Sequence, residues 1–245
     1  FMTTWVRSWV EAAHERQLFR NFDRIISLTA IDQRYHAQFV GDARSSLIPG
    51  FIQEEQYQVA RPCPRAAGLL IVTGSFDSFQ NIQGVHWFME KVWPHVQTAQ
   101  PAVRLQLVGK GACQLPAALI HAPHVEAIDV VPDIAPYLRR ATVAVVPILH
   151  GSGIRFKILE ALACELPVVS TTLGAQGIAV HNGKSILLAD TPVAFAQAIL
   201  RLLRDEAKRT QIAQQGLAVL RQHYTMPVNT ARICQLVDVL VAIRC

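Results

Sequence analysis

From Gly68 onward the 245-residue chain alternates between short β-branched runs and amphipathic helices, and that alternation restricts the fold more than any other feature. Strands read at 69–73, 103–108, about 125–130, 142–147, 167–171 and near 186–188. Helices read at about 82–97, 114–120, 134–140, 154–164, 192–203 and 205–222, with a last one at about 227–243. Strands separated by whole helices pair in parallel, because a tight hairpin can join only antiparallel neighbours. The expected fold class is therefore α/β, a Rossmann-like parallel sheet with helices on both faces. Ligands of such sheets bind beyond the carboxyl ends of the strands. Gly74, Gly109, the turn Val131-Pro132-Asp133 and the loop Gly151-Ser152-Gly153 all follow strand ends, so they are expected to converge on one crevice.

The stretch from Gly151 to Ser170 concentrates the chemistry: a glycine turn, a helix start with Ile154, Arg155 and Lys157, a carboxylate at Glu160, then a buried strand. Glycines let backbone approach a ligand, and the unsatisfied N–H groups of a first helical turn attract phosphate. Arg155 and Lys157 add positive charge there, and Ser152 is placed to cap the helix. Glu160 lies two turns further on, where a carboxylate accepts from vicinal hydroxyls such as those of a ribose. The pattern reads as a nucleoside diphosphate site.

Composition closes off other classes. Hydrophobic residues make up 51% of the chain, ample for a packed core. The longest apolar stretches, Ala66 to Val72 and Ala141 to Leu149, fall well short of the roughly 18 residues of a membrane span. No secretory signal opens the chain, so a cytoplasmic protein is expected. Cys63, Cys113, Cys164, Cys234 and Cys245 are odd in number and free of C-x-x-C spacing, which argues against a disulfide framework and against a zinc site. A net charge of +5 suits an anionic ligand and leaves peripheral contact with the inner membrane surface open. No basic run interleaved with aromatics points to nucleic acid.

Residues ahead of Gly68 form a separate block: an amphipathic helix at about 3–20, a strand within 22–28, a helix beginning near Ala30, and Leu47 to Gly50. This has the pattern of the last βαβ turn of a preceding domain. Residues 53–67, polar at first and carrying Pro62 and Pro64, read as a linker. The chain opens on Phe1-Met2 rather than on an initiator methionine, which suggests a missing beginning. The expected division is thus a remnant domain at 1–52, a linker at 53–67, a ligand-binding domain at 68–222 and a C-terminal helix at 223–245.

The ordered series Val72-Thr-Gly-Ser-Phe76, Asn81-Ile-x-Gly-Val-x-Trp-Phe88, Val92-Trp-Pro94, Leu107-Val-Gly109, Asp133 to Leu138, Ala144-Val-Val-Pro147, Gly151 to Ala161 and Pro167 to Gly174 resembles the donor-binding half of glycosyltransferase family 4. The likeness covers roughly residues 68–222, and residues 22–50 resemble the end of the preceding acceptor domain. The resemblance implies a GT-B fold of two Rossmann-like domains and retaining transfer from a nucleotide-sugar donor, with no metal in the chemical step. The absence of any Asp-x-Asp agrees with it.

Carried over by residue, Glu160 resembles the second glutamate of the family's E-x7-E pattern, which binds ribose. Ser152 stands where the first would fall. In many members an Arg and a Lys follow the first strand; here Ser75 or Phe76 and Asn81 hold those places, so Arg155 and Lys157 are expected to supply the charge on the diphosphate. Backbone near Val131 and Pro132 resembles the segment that cradles the base. Glu165 replaces the usual glycine after the helix, at some cost in stability. The expected donor site is Gly74, Val131, Pro132, Gly151, Ser152, Gly153, Ile154, Arg155, Lys157 and Glu160, with no catalytic residue assigned, no metal and no cofactor besides the donor substrate. The expected acceptor is a glycan or a lipid-linked one. Two alternatives are a non-catalytic nucleotide-sugar-binding module and a nicotinamide-dependent oxidoreductase. The latter is disfavoured because Thr73-Gly-Ser-Phe-Asp77, not G-x-G-x-x-G, follows the first strand of the clear domain.

Overall fold

Leu69–Thr73 buries every side chain, the mark of a strand covered on both faces, and it stands at the middle of the larger of two compact units. The computed structural model describes residues 14–19, 21–57 and 64–244. The larger unit is Phe51–Thr230; the smaller holds the described residues up to Gly50 together with those from Ala231. In the smaller unit lie α1 (14–19), β1 (Ile25–Ser27), α2 (Ala30–Val40) and β2 (Ser45–Leu47), with β1 and β2 parallel. The helix read at 3–20 is thus described only over 14–19, and its remainder lies outside the described residues. Thr29 starts α2 by accepting the Asp32 N–H.

The larger unit runs β3 (Leu69–Thr73), α3 (Phe79–Trp87), α4 (Trp93–Ala99), β4 (Arg104–Val108), α5 (Ala117–Ile120), β5 (Val125–Ile128), α6 (Ala135–Arg140), β6 (Val143–Val146), α7 (Phe156–Ala163), β7 (Val168–Ser170), β8 (Leu187–Leu188), α8 (Pro192–Arg204) and α9 (Glu206–His223). The last helix, α10 (Met226–Arg244), begins in this unit. All six strands pair in parallel in the order β5-β4-β3-β6-β7-β8. Alternate residues of each strand face opposite cores. Leu70, Val72, Leu105 and Val145 pack with Phe88, Trp93 and Phe195 of the α3–α4 and α8 layer. Leu69, Ile71, Val146 and Val168 pack with Leu138, Leu162 and Leu220 of the α6, α7 and α9 layer. The expected Rossmann-like sheet with helices on both faces is what the chain builds.

Local differences from the sequence reading have physical causes. The helix read at 82–97 begins at Phe79 and widens into a π turn over Phe88–Val92 before α4. Pro94 has no N–H to offer the carbonyl four residues back, and its ring crowds that position, so the turn opens. The strand read to 130 stops at Ile128 because the Asp129 carboxylate accepts the N–H groups of Gly111 and Val130, both at 2.9 Å. Helix α7 starts at Phe156 with extended Arg155 as its N-cap residue and no side-chain cap, so Ser152 is not the cap. It ends in a Schellman pattern in which Glu165 N–H reaches Leu162 and Leu166 N–H reaches Ala161, with Glu165 at φ 51.

Residues 53–57 and 64–67, read as linker, belong to the larger unit. Glu54–Tyr57 form a 3-10 turn beside the Ile52–Thr225 bridge, and Glu54 pairs with Arg221 at 2.7 Å. Arg65 donates to four carbonyls at two helix ends: Arg139 (3.2 Å) in the last turn of α6 and Ala141 (2.8 Å) just past it, Cys164 (2.9 Å) and Glu165 (2.7 Å) after α7. Among the described residues no helix is long and apolar enough to cross a membrane.

Candidate functional site

A cavity of about 580 Å³ opens at the carboxyl ends of the central strands. Its back is made where two glycines touch. A Cβ on Gly109 would lie 2.1 Å from the Gly74 carbonyl oxygen, and one on Gly74 would lie 2.7 Å from Lys157 Nζ. Both glycines have positive φ, 136° and 151°, so the close passage of backbone and the room for Lys157 each depend on the missing side chain.

Helix α7 brings three functional groups to this place because its other face is committed to the core through Ile158, Leu159, Ala161 and Leu162. No side chain caps its first turn, and Phe156 and Lys157 of that turn line the cavity. Lys157 Nζ donates to Asn81 Oδ1 at 2.7 Å, and Asn81 Nδ2 donates to the Ser75 carbonyl at 2.7 Å. Burial, and then the neighbouring Arg155, push the Lys157 ammonium down to about 8, against the opposing pull of Glu160. Glu160 follows one turn later on the same face, half-buried, and accepts from the Tyr57 hydroxyl at 3.1 Å. Burial raises its carboxyl above the usual range, while Tyr57 and Lys157 favour the charged form.

Of the residues singled out by sequence, Gly74, Val131, Ile154, Arg155, Lys157 and Glu160 line this cavity together. Gly151, Ser152, Gly153 and Pro132 do not. The first three form the exposed loop ahead of α7, with Gly151 at φ 96 and Gly153 at φ 87. Arg155 holds that loop: its guanidinium donates to the Ser152 carbonyl at 2.7 Å and the His150 carbonyl at 3.5 Å, while its Nε is buried without a partner. His150 packs its ring against Phe79. Lys110, which sequence reasoning did not single out, reaches the rim in an ion pair with Asp77 at 2.6 Å. Val130, Val131 and Ile134 give the cavity an apolar wall. Among the described residues no group of three His, Cys, Asp or Glu side chains could hold a metal ion.

A cavity with an apolar wall, two lysines, an uncapped helix start and one carboxylate suits an anion that carries hydroxyls and a flat apolar part. The family model for glycosyl transferases group 1 matches residues 67–205, more than half of the chain and all six strands of this sheet. The chain belongs to the group 1 glycosyl transferases. Its GT-B type of architecture is shared with solved structures. One is sucrose-phosphate synthase from Thermosynechococcus elongatus, with TM-score 0.75 and 23% identity, over 94% of this chain and 61% of that one. Another is Anabaena HepE in complex with UDP-glucose, with TM-score 0.72 and 17% identity, over 88% and 64%. At these identities the likeness is one of fold.

Among sequence relatives of this group 1 member, an uncharacterized 44.6 kDa protein of the cps region of Klebsiella pneumoniae is 24% identical over 163 residues. The match takes in 63% of this chain and 42% of that protein. A D-inositol 3-phosphate glycosyltransferase of Acidothermus cellulolyticus is 36% identical over 96 residues, or 38% of this chain and 21% of the enzyme. The chain therefore spans less than half the length of these relatives.

Proposed function

We propose that the cavity holds the nucleoside diphosphate of a sugar donor, and that the chain is the donor-binding part of a retaining, metal-independent glycosyltransferase of family 4 acting in glycan or polysaccharide synthesis. The observation that carries this is the pair Lys157 and Glu160, one turn apart on α7 and both facing the cavity. Lys157 and the N-terminal end of α7, which no side chain caps, meet the diphosphate and stabilise it as it departs, in place of a cation. Glu160 accepts from the ribose hydroxyls, and the base lies along Val130, Val131 and Ile134. The complex of Anabaena HepE with UDP-glucose supports a nucleotide-sugar donor, and the D-inositol 3-phosphate glycosyltransferase relative supports glycosyl transfer. Retention, independence of metal and the choice of family 4 rest on the ordered motifs. The acceptor, a glycan or a lipid-linked one, would be chosen by residues outside this cavity.

A second reading is a non-catalytic nucleotide-sugar-binding module: the residues that line the cavity, Gly74 and Glu160 among them, can bind a donor, and none of them is assigned to the transfer step. Calorimetric titration of UDP, GDP and their glucose conjugates in the presence of EDTA tests the shared part. Binding by one of these, weakened at least tenfold in Lys157→Met and in Glu160→Gln, is expected for a lost charge-assisted contact. A folded chain that binds none of them overturns the proposal. Release of UDP or GDP from its bound sugar conjugate separates transferase from binding module.

A further inference from the structure

Tyr57 stands outside the cavity yet holds the only carboxylate among the residues that line it. It ends the 3-10 turn Glu54–Tyr57, a hundred and three residues before Glu160 in sequence. The turn is pinned at two points. The Tyr57 carbonyl accepts from Arg139 Nε, and Glu54 accepts two bonds from Arg221, at 2.9 and 2.7 Å. The half-buried ring packs against the core that also contains Leu162 and Cys164, so the phenol has a defined position from which to reach Glu160. Burial, followed by the charge of Glu160, raises the phenol well above its ordinary value, so its hydroxyl remains a donor at any pH the fold would meet.

A glutamate carboxylate turns easily about its last bond, whose torsion is broad and two-fold. It has two oxygens and about four lone-pair sites, and a bond to Oε1 takes one of them while fixing the plane of the group. Oε2 is then left for a ligand. Without Tyr57 the carboxylate is free to swing toward the Lys157 ammonium, the cation next to it on the helix face.

We propose that Tyr57 is a positioning residue for ribose recognition, whose hydroxyl fixes the Glu160 carboxylate so that it presents its free oxygen to the ribose diol. The inference rests on the donor-site reading and deepens it. Its test is the discrimination between a ribose and the same sugar without its diol, a readout that a merely structural residue would not move. UDP and GDP are titrated beside their 2′,3′-dideoxy forms on the wild-type chain, Tyr57→Phe, Glu160→Gln and the double variant.

In Tyr57→Phe the ribonucleotide is expected to bind roughly three- to tenfold more weakly, the size of one ordinary hydrogen bond, because the carboxylate stays but is no longer oriented, with the dideoxy form unchanged within about twofold. In the Glu160→Gln background the same substitution is expected to change neither, since the two side chains act as one unit. Equal loss on both nucleotides, or no loss on either, overturns the proposal while leaving the donor site standing. Should Tyr57→Phe melt before titration, Glu160→Gln still reports: a diol preference that survives in this variant refutes the role of the pair. A wild-type chain that binds no nucleotide refutes both readings.

Discussion

Replacing Arg65 should lower the stability of the larger unit more than any other single change in the segment 64–67. The guanidinium joins the carboxyl ends of two helices, and the partial negative charge there makes each contact charge-assisted. Ala141 and Cys164 are fully buried, so in Arg65→Ala their carbonyls lose a partner at about 1–3 kcal/mol each. The carbonyls of Arg139 and Glu165 sit on more accessible residues and recover most of their bond from water. The expected loss is about 3 kcal/mol, or roughly 6–12 °C in Tm for a unit of this size. Arg65→Lys should recover less than half of it, because one ammonium cannot reach both helix ends as the planar fork does. Thermal and urea melts followed by circular dichroism measure both. A shift under about 2 °C in Arg65→Ala, or full recovery in Arg65→Lys, would refute the idea that this side chain clamps α6 to α7.

Four further outcomes are expected. Lys157 carries its proton below about 8 and a bound diphosphate holds it, so nucleotide affinity should be level below that pH and fall above it by up to tenfold per unit; calorimetry on wild type and Lys157→Met checks this, and an unchanged slope in the variant would contradict it. The same depressed value means that the unfolded chain binds the proton more tightly, so stability of the unliganded fold should rise as pH passes from about 8 toward the ordinary lysine value. Gly109→Ala places a Cβ 2.1 Å from a backbone oxygen that cannot move without shifting β3, and should cost at least 3 kcal/mol or prevent folding, read by urea titration. Glu165→Gly removes a left-handed residue from the end of α7 and should stabilise by about 1 kcal/mol, seen as a higher midpoint at unchanged slope.

The succession of strands and helices along the chain was legible because a strand buried on both faces must be apolar throughout, and Leu69–Thr73 and Val143–Val146 advertise this without help from the rest of the chain; the lateral order of the strands was not. Gly74, Lys157 and Glu160 were legible for a related reason: backbone conformation and helical spacing are local properties. Tyr57, Asn81 and Arg65 were not. Each works through a partner 74 or more residues away, and no periodicity links such positions. The polar stretch after Gln53 resembles a linker in composition because its anchoring groups are a tyrosine hydroxyl and a guanidinium, which a reading of hydrophobic pattern passes over. Pro94 was visible in sequence, but its effect as a widened π turn depends on the packing of Phe88 and Trp93 that keeps the helix continuous across it.

The all-parallel order of the sheet has a kinetic consequence. Leu70 pairs with Val143 across most of the unit's first half, and no neighbouring strands are joined by a short turn. Loop-closure entropy must be met before these pairings return any energy, so no early hairpin can serve as a local nucleus for the cavity. Gly74, Gly109, Val131 and Lys157 come from four different crossovers and meet only when the last has docked. A ligand in the cavity therefore grips the whole unit at once, and its binding should slow amide exchange in every central strand rather than in the loops that touch it.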